Sequence, residues 1–162
     1  MISVGFNAAN ACSSIEYTDS PSCTMERTAW SMAALEALLP GILERWSIPV
    51  ERVIGHSDMA PHRKSDPGPR FDWARLARRG LAVWPFEGPA GEVDAERFAA
   101  DLARIGYHLP PGEAPEVLLL WAFRLRFRPW AAEARGPLEP EDCRIARDIA
   151  DRFPAVRGET GA

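Results

Sequence analysis

Long apolar runs are missing from this chain: no stretch approaches the roughly 18 consecutive apolar residues that a bilayer span needs. Residues 1–20 also lack a basic start followed by an apolar run, so no export signal is legible and the expected compartment is the cytoplasm. A missing true N-terminus would remove such a signal as well, which leaves the periplasm as the alternative to the cytoplasm. Basic excess is absent too, with 19 Lys and Arg against 23 Asp and Glu. The resulting net charge of −4 offers no broad cationic face for phosphate backbones, which argues against a nucleic-acid partner. Cysteine is scarce: Cys12, Cys23 and Cys143 are odd in number and carry no C-x-x-C spacing, which excludes a disulfide framework and a Cys-based zinc finger.

What remains is an ordinary globular composition, 46% hydrophobic and 26% charged, in a chain of 162 residues. That length suits one domain with an appendage. Met1 to Ala9 alternates Ile2, Val4 and Phe6 with small or polar residues, the period of a strand. Asn10 to Cys23 reads as a loop. From Met25 to Trp46 the apolar positions Ala29, Met32, Leu35, Leu39, Ile42 and Leu43 recur at helical spacing, with Thr24 placed as N-cap and a kink or break expected at Pro40. Val50 to Ile54 is β-rich and delivers His56 to the end of a strand. A proline-stiffened loop follows, then a short helix from Trp73 to Arg79 closed by Gly80.

Pro85, Gly88, Pro89 and Gly91 mark a linker, dividing the chain into residues 1–85 and 86–162. Three helical patterns follow it. The first is capped by Asp94, carries Phe98, Leu102 and Ile105 on one face, and stops at Gly106. The second runs from Pro115 to Phe127, with Leu118, Trp121, Ala122 and Leu125 together, and the third from Pro140 to Phe153, with Ile145, Ala146 and Ile149 together. A small three-helix bundle is expected. A helix-turn-helix regulator is disfavoured by the acidic last helix.

His56 and Asp66 flank the proline-stiffened loop, and an imidazole with a carboxylate is a ligand pair that suits Zn²⁺. Lys64, two residues before Asp66, falls on the same side of an extended backbone and is placed to stabilise an oxyanion, unless Arg63 and Lys64 are simply a solvated basic pair.

The string Val53-Ile54-Gly55-His56-Ser57-Asp58-Met59-Ala60-Pro61, then Arg63-Lys64 and Asp66-Pro67-Gly68-Pro69, with Phe71 and Trp73, resembles the zinc-dependent N-acetylmuramoyl-L-alanine amidases of the AmpD/AmiD type. The similarity extends upstream to Ser3-Val4-Gly5 and downstream to Leu81-Trp84, so it covers residues 1–85. It implies an α/β fold, here a partial mixed sheet flanked by helices, and hydrolysis of the amide between N-acetylmuramic acid and L-alanine in peptidoglycan or its fragments. It implies His56 and Asp66 as zinc ligands and Lys64 as the clamp on the tetrahedral intermediate, a role its position allows. Arg63 and Asn10 are the expected substrate contacts, with a muropeptide or murein as partner.

Two departures qualify that picture. The family's third ligand is a histidine in an earlier strand that this chain does not contain, as though its start were truncated, and catalytic zinc normally takes three protein ligands and one open position. His62 is the substitute candidate. Asn7 stands where the family usually has the Glu that assists the attacking water, and an amide cannot serve as general base, a loss worth about 10²–10⁴-fold. Asn7 can still orient water or substrate by hydrogen bonding. Hence two functional expectations stand together: a zinc amidase, and a catalytically impaired protein of the same family that binds muropeptide. The C-terminal segment resembles, more weakly, the three-helix peptidoglycan-binding domain that follows some of these amidases, through Ile105-Gly106-Tyr107 and the run from Ala122 to Pro129. Arg124, Arg126 and Arg128 then either face glycan or peptide carboxylates or are merely solvated.

Overall fold

A computed structural model describes residues 2–4, 21–109, 117–132 and 134–155 of the chain. Asn7, Asn10 and Cys12 lie outside the described residues. Strand β1 (Ile2–Val4) pairs in parallel with β2 (Val53–Gly55), Ile2 opposite Val53 and Val4 opposite Gly55. Helix α1 (Pro21–Arg45) connects the two by a crossover, as parallel pairing requires. These two strands are the sheet seen among the described residues.

Helix α1 begins four residues before Met25, so Thr24 lies inside its first turns and is not the cap. Pro21 suits the opening position because its fixed φ is already helical and its missing N–H would have no partner there. The helix is continuous through Pro40. Its inner face is the one the spacing implied: Met32, Leu39 and Leu43 are buried, and Leu35 packs beside them.

A 3₁₀ turn (Val50–Arg52) precedes β2, and the one-turn helix α2 (His56–Met59) follows it directly. Helix α3 (Trp73–Arg78) is capped by the Asp72 carboxylate, which accepts from the Arg75 N–H, and the chain leaves it through Gly80 at φ +69°. Val53, Trp73, Leu76, Leu81 and Ala82 join the α1 face in one apolar cluster.

After the irregular segment 85–94 come α4 (Ala95–Ile105), α5 (Val117–Phe127), the short α6 (Pro129–Ala132) and α7 (Pro140–Arg152). Helix α4 is bounded as its sequence dictates, by the Asp94 carboxylate on the Arg97 N–H and by Gly106 in the left-handed region at φ +107°. Helix α6 adds a fourth helix to the three expected. Phe98, Leu102, Phe123, Phe127, Ile145 and Ile149 form a second apolar cluster, each fully buried side chain contributing about 1.5–3 kcal/mol. Phe123 lies at its centre, edge-on to Phe98 with ring centroids 5.4 Å apart. Val50 and Trp84 pack against both clusters. Helix α5 is buried almost all round from Leu120 onward, rather than along the single stripe Leu118, Trp121, Ala122 and Leu125. Its opposite sides meet α2 and the other helices.

Candidate active site

Three constraints bring the two ends of the proline-stiffened loop together. Gly55 sits where a larger residue does not fit, since a Cβ there would lie 2.8 Å from Pro67 Cδ and 3.3 Å from Ser57 Oγ. The Ser57 N–H donates to the Asp66 carbonyl at 3.0 Å. The Gly55 N–H donates to the Asp58 carboxylate at 2.7 Å, which closes the first turn of α2. His56, the residue directly after β2, consequently meets Asp66, with Nδ1 against Oδ2. Both side chains are about one-third exposed, at 31% and 32%, so the pair is open to solvent on one side.

The pair fits zinc in kind. Tetrahedral zinc at ordinary ligand distances holds neighbouring donor atoms about 3.3 Å apart, so a small outward movement of either side chain would seat the ion. In number it falls short: among the described residues no three His, Cys, Asp or Glu side chains form a group able to hold a metal. His62 therefore does not complete the set, although it lies half-buried in the same loop. Arg63 and Lys64 are exposed on the turn whose N–H groups bond back to the Ala60 carbonyl.

Beneath this open pair lies a closed one. Asp58 is 5% exposed, and its carboxylate accepts from the Gly55 N–H, from Arg126 at 2.9 Å and from the Tyr107 hydroxyl at 2.5 Å. Arg126 also donates to the Val53 carbonyl at 3.0 Å and lies over the Trp73 ring, 4.5 Å from its centroid. Burial, reinforced by the neighbouring Asp58 charge, pushes the Tyr107 hydroxyl well above its ordinary pKa, so it stays a donor.

Neither expectation for the three arginines of α5 and its exit holds. Arg124, Arg126 and Arg128 are buried, at 2%, 4% and 8% exposure, and face carboxylates of their own chain. Arg124 and Arg128 both donate to Asp142, which is fully buried, while Arg126 turns the other way to Asp58. The split was legible, because at 100° per residue positions 124 and 128 lie about 40° apart and 126 about 160° from each. Three charges in so apolar a helix also call for buried partners. Asp58 gave no comparable signal, since its partners lie far along the chain.

Residues 3–69 match the family model described as N-acetylmuramoyl-L-alanine amidase. The chain is 33% identical to the N-acetylmuramoyl-L-alanine amidase AmiD of Escherichia coli (strain K12), an alignment covering 75% of this chain and 49% of that protein. A shorter segment is 46% identical to the 1,6-anhydro-N-acetylmuramyl-L-alanine amidase AmpD of Enterobacter cloacae, covering 26% of this chain and 22% of that one. Among solved structures, E. coli AmiD in complex with the substrate anhydro-N-acetylmuramic acid-L-Ala-D-gamma-Glu-L-Lys superposes with a TM-score of 0.66 at 33% identity, over 75% of this chain and 51% of that one. AmpDH3 of Pseudomonas aeruginosa does so with a TM-score of 0.67 at 30% identity, over 76% and 53%. The chain thus spans about half the length of the AmiD protein it matches. The His56–Asp66 loop lies inside the segment, residues 3–69, that matches the N-acetylmuramoyl-L-alanine amidase family.

Proposed function

We propose that this chain carries part of the hydrolytic centre of a zinc-dependent amidase that cleaves the bond between N-acetylmuramic acid and L-alanine in a muropeptide. The observation that carries this reading is the contact between His56 Nδ1 and Asp66 Oδ2 inside the family segment. Those two atoms would hold the zinc ion, with a further donor needed to complete the set. When bound, zinc supplies Lewis acidity toward the amide carbonyl and lowers the pKa of water.

The chain's own residues do the rest. Lys64, exposed two residues before Asp66, swings its ammonium group over the scissile carbonyl and stabilises the developing oxyanion. Arg63 binds a carboxylate of the stem peptide, and Asn10 contacts the substrate. Asn7 orients water or substrate by hydrogen bonding and takes up no proton. Residues 1–85 form the amidase part and 86–162 a helical part, whose buried arginines hold the chain together and do not read glycan. The likeness to AmiD solved with a muropeptide supports that substrate class.

A second reading, a protein that binds muropeptide without cutting it, is favoured by the presence of two donors rather than three among the described residues and by Asn7. One experiment separates them: incubation of a muropeptide ending in L-Ala-D-γ-Glu-L-Lys with the chain and zinc, followed by mass spectrometry of released peptide. Release that disappears in the His56→Ala variant supports the amidase. Binding without release supports the second reading, and neither binding nor release sinks both.

A further inference from the structure

We infer that Tyr107 and Arg126, both in the helical part of the chain, are positioning residues for the His56–Asp66 pair: they act through the buried carboxylate of Asp58, which closes the turn carrying His56. The inference rests on the zinc-amidase reading in its functional sense, though not in its geometry.

Helix α2 has four residues, too few to hold its own shape, since helix nucleation is unfavourable and a single turn satisfies little of its backbone. Something outside it must fix it. Arg126 reaches the carbonyl of Val53 and the carboxylate of Asp58 with its two terminal nitrogens, so one rigid guanidinium fork holds both ends of the segment that contains His56. Trp73 backs that fork on its flat face. Tyr107 takes the other carboxylate oxygen, leaving Oδ2 aimed at the Gly55 N–H. Gly55 in turn packs against Pro67, and Ser57 bonds the Asp66 carbonyl, so the constraint passes from Asp58 to both members of the open pair. Metal sites commonly depend on such outer partners, whose loss costs about 10–100-fold in affinity.

Two variants isolate the effect. Tyr107→Phe removes one hydroxyl and leaves the ring packed on Phe123. Arg126→Lys keeps the charge and cannot bridge both acceptors. Arg128→Lys, which disturbs the separate pairing with Asp142 and Glu139, is the control for a purely structural effect. Two quantities are read: zinc affinity by competition with a chromophoric chelator, and hydrogen exchange of the Ser57 amide by NMR. Both variants should bind zinc about tenfold more weakly or worse and exchange Ser57 faster, while Arg128→Lys lowers the melting temperature and leaves both readouts unchanged. The inference is overturned if both variants stay within about twofold of the unsubstituted chain, or if Arg128→Lys shifts both readouts as far. If the unsubstituted chain holds no zinc, the zinc-site reading fails, and Ser57 exchange alone decides the positioning.

Discussion

Replacing Asp58 with Asn keeps the shape of the side chain and removes its charge, which makes the cost calculable from the contacts. Two donors, the Gly55 N–H and Arg126, converge on Oδ2, and one, the Tyr107 hydroxyl, meets Oδ1. The amide must therefore place its oxygen at Oδ2, because the reverse orientation would set an NH₂ group against a guanidinium. Its NH₂ then faces the Tyr107 hydroxyl, which can rotate to accept. Hydrogen bonding is nearly conserved, and the loss is the neutralising charge beside a guanidinium that is 4% exposed. Breaking a buried pair costs about 3–5 kcal/mol, and the retained contacts of Arg126 with Val53 and Trp73 favour the lower end, about 3 kcal/mol. In a chain of this size that lowers the melting temperature by roughly 6–12 °C. Urea unfolding, followed by tryptophan fluorescence, measures it directly. Adding Arg126→Met should recover part of the loss, since an apolar replacement of both partners leaves no charge stranded. A cost below about 1 kcal/mol for Asp58→Asn would place the pair in the range of solvent-exposed ion pairs and refute the reasoning.

Other outcomes follow from the same geometry. Gly55→Ala should cost about 1–3 kcal/mol, because its φ of −83° is ordinary and the penalty is the collision with Pro67; calorimetry showing no change would mean the loop yields freely. Asp142→Asn should cost about 3–5 kcal/mol in urea unfolding, as it removes the buried charge that Arg124 and Arg128 share, and a near-neutral result would contradict that shared pairing. Tyr107 has a raised pKa in the fold, so the native state keeps a proton that the unfolded chain releases. Its contribution is complete below the unfolded value of about 10 and is lost above it, giving an alkaline fall in stability that Tyr107→Phe should flatten.

Local chemistry was legible and long-range pairing was not. Helix α4 follows from the Asp94 cap, the Phe98–Leu102 spacing and Gly106, all of which act within one or two turns. His56 at the end of a short strand follows from the β-branched run and the glycine after it. The start of α1 is not legible in the sequence because Ser22, Cys23 and Thr24 are weak helix formers, which hides the favourable position of Pro21. Helix α6 is too short for periodicity to register. The sequence alone points Arg126 outward, because burial of a charge depends on a partner and Asp58 stands 68 residues away. Of the candidate site, the His56–Asp66 pair is singled out by the resemblance of the loop to the amidases, since its residue types and spacing alone also fit ordinary structural residues, while the Asp58 clamp beneath it required the fold.

The most direct test of the account is the zinc content of the unsubstituted chain beside His56→Ala and Asp66→Ala, measured by native mass spectrometry after equilibration with zinc. One ion per chain, lost in both variants whose folds remain intact by circular dichroism, is the predicted result. Zinc retained by either variant, or no zinc on the unsubstituted chain, would contradict the assignment of these two residues as ligands.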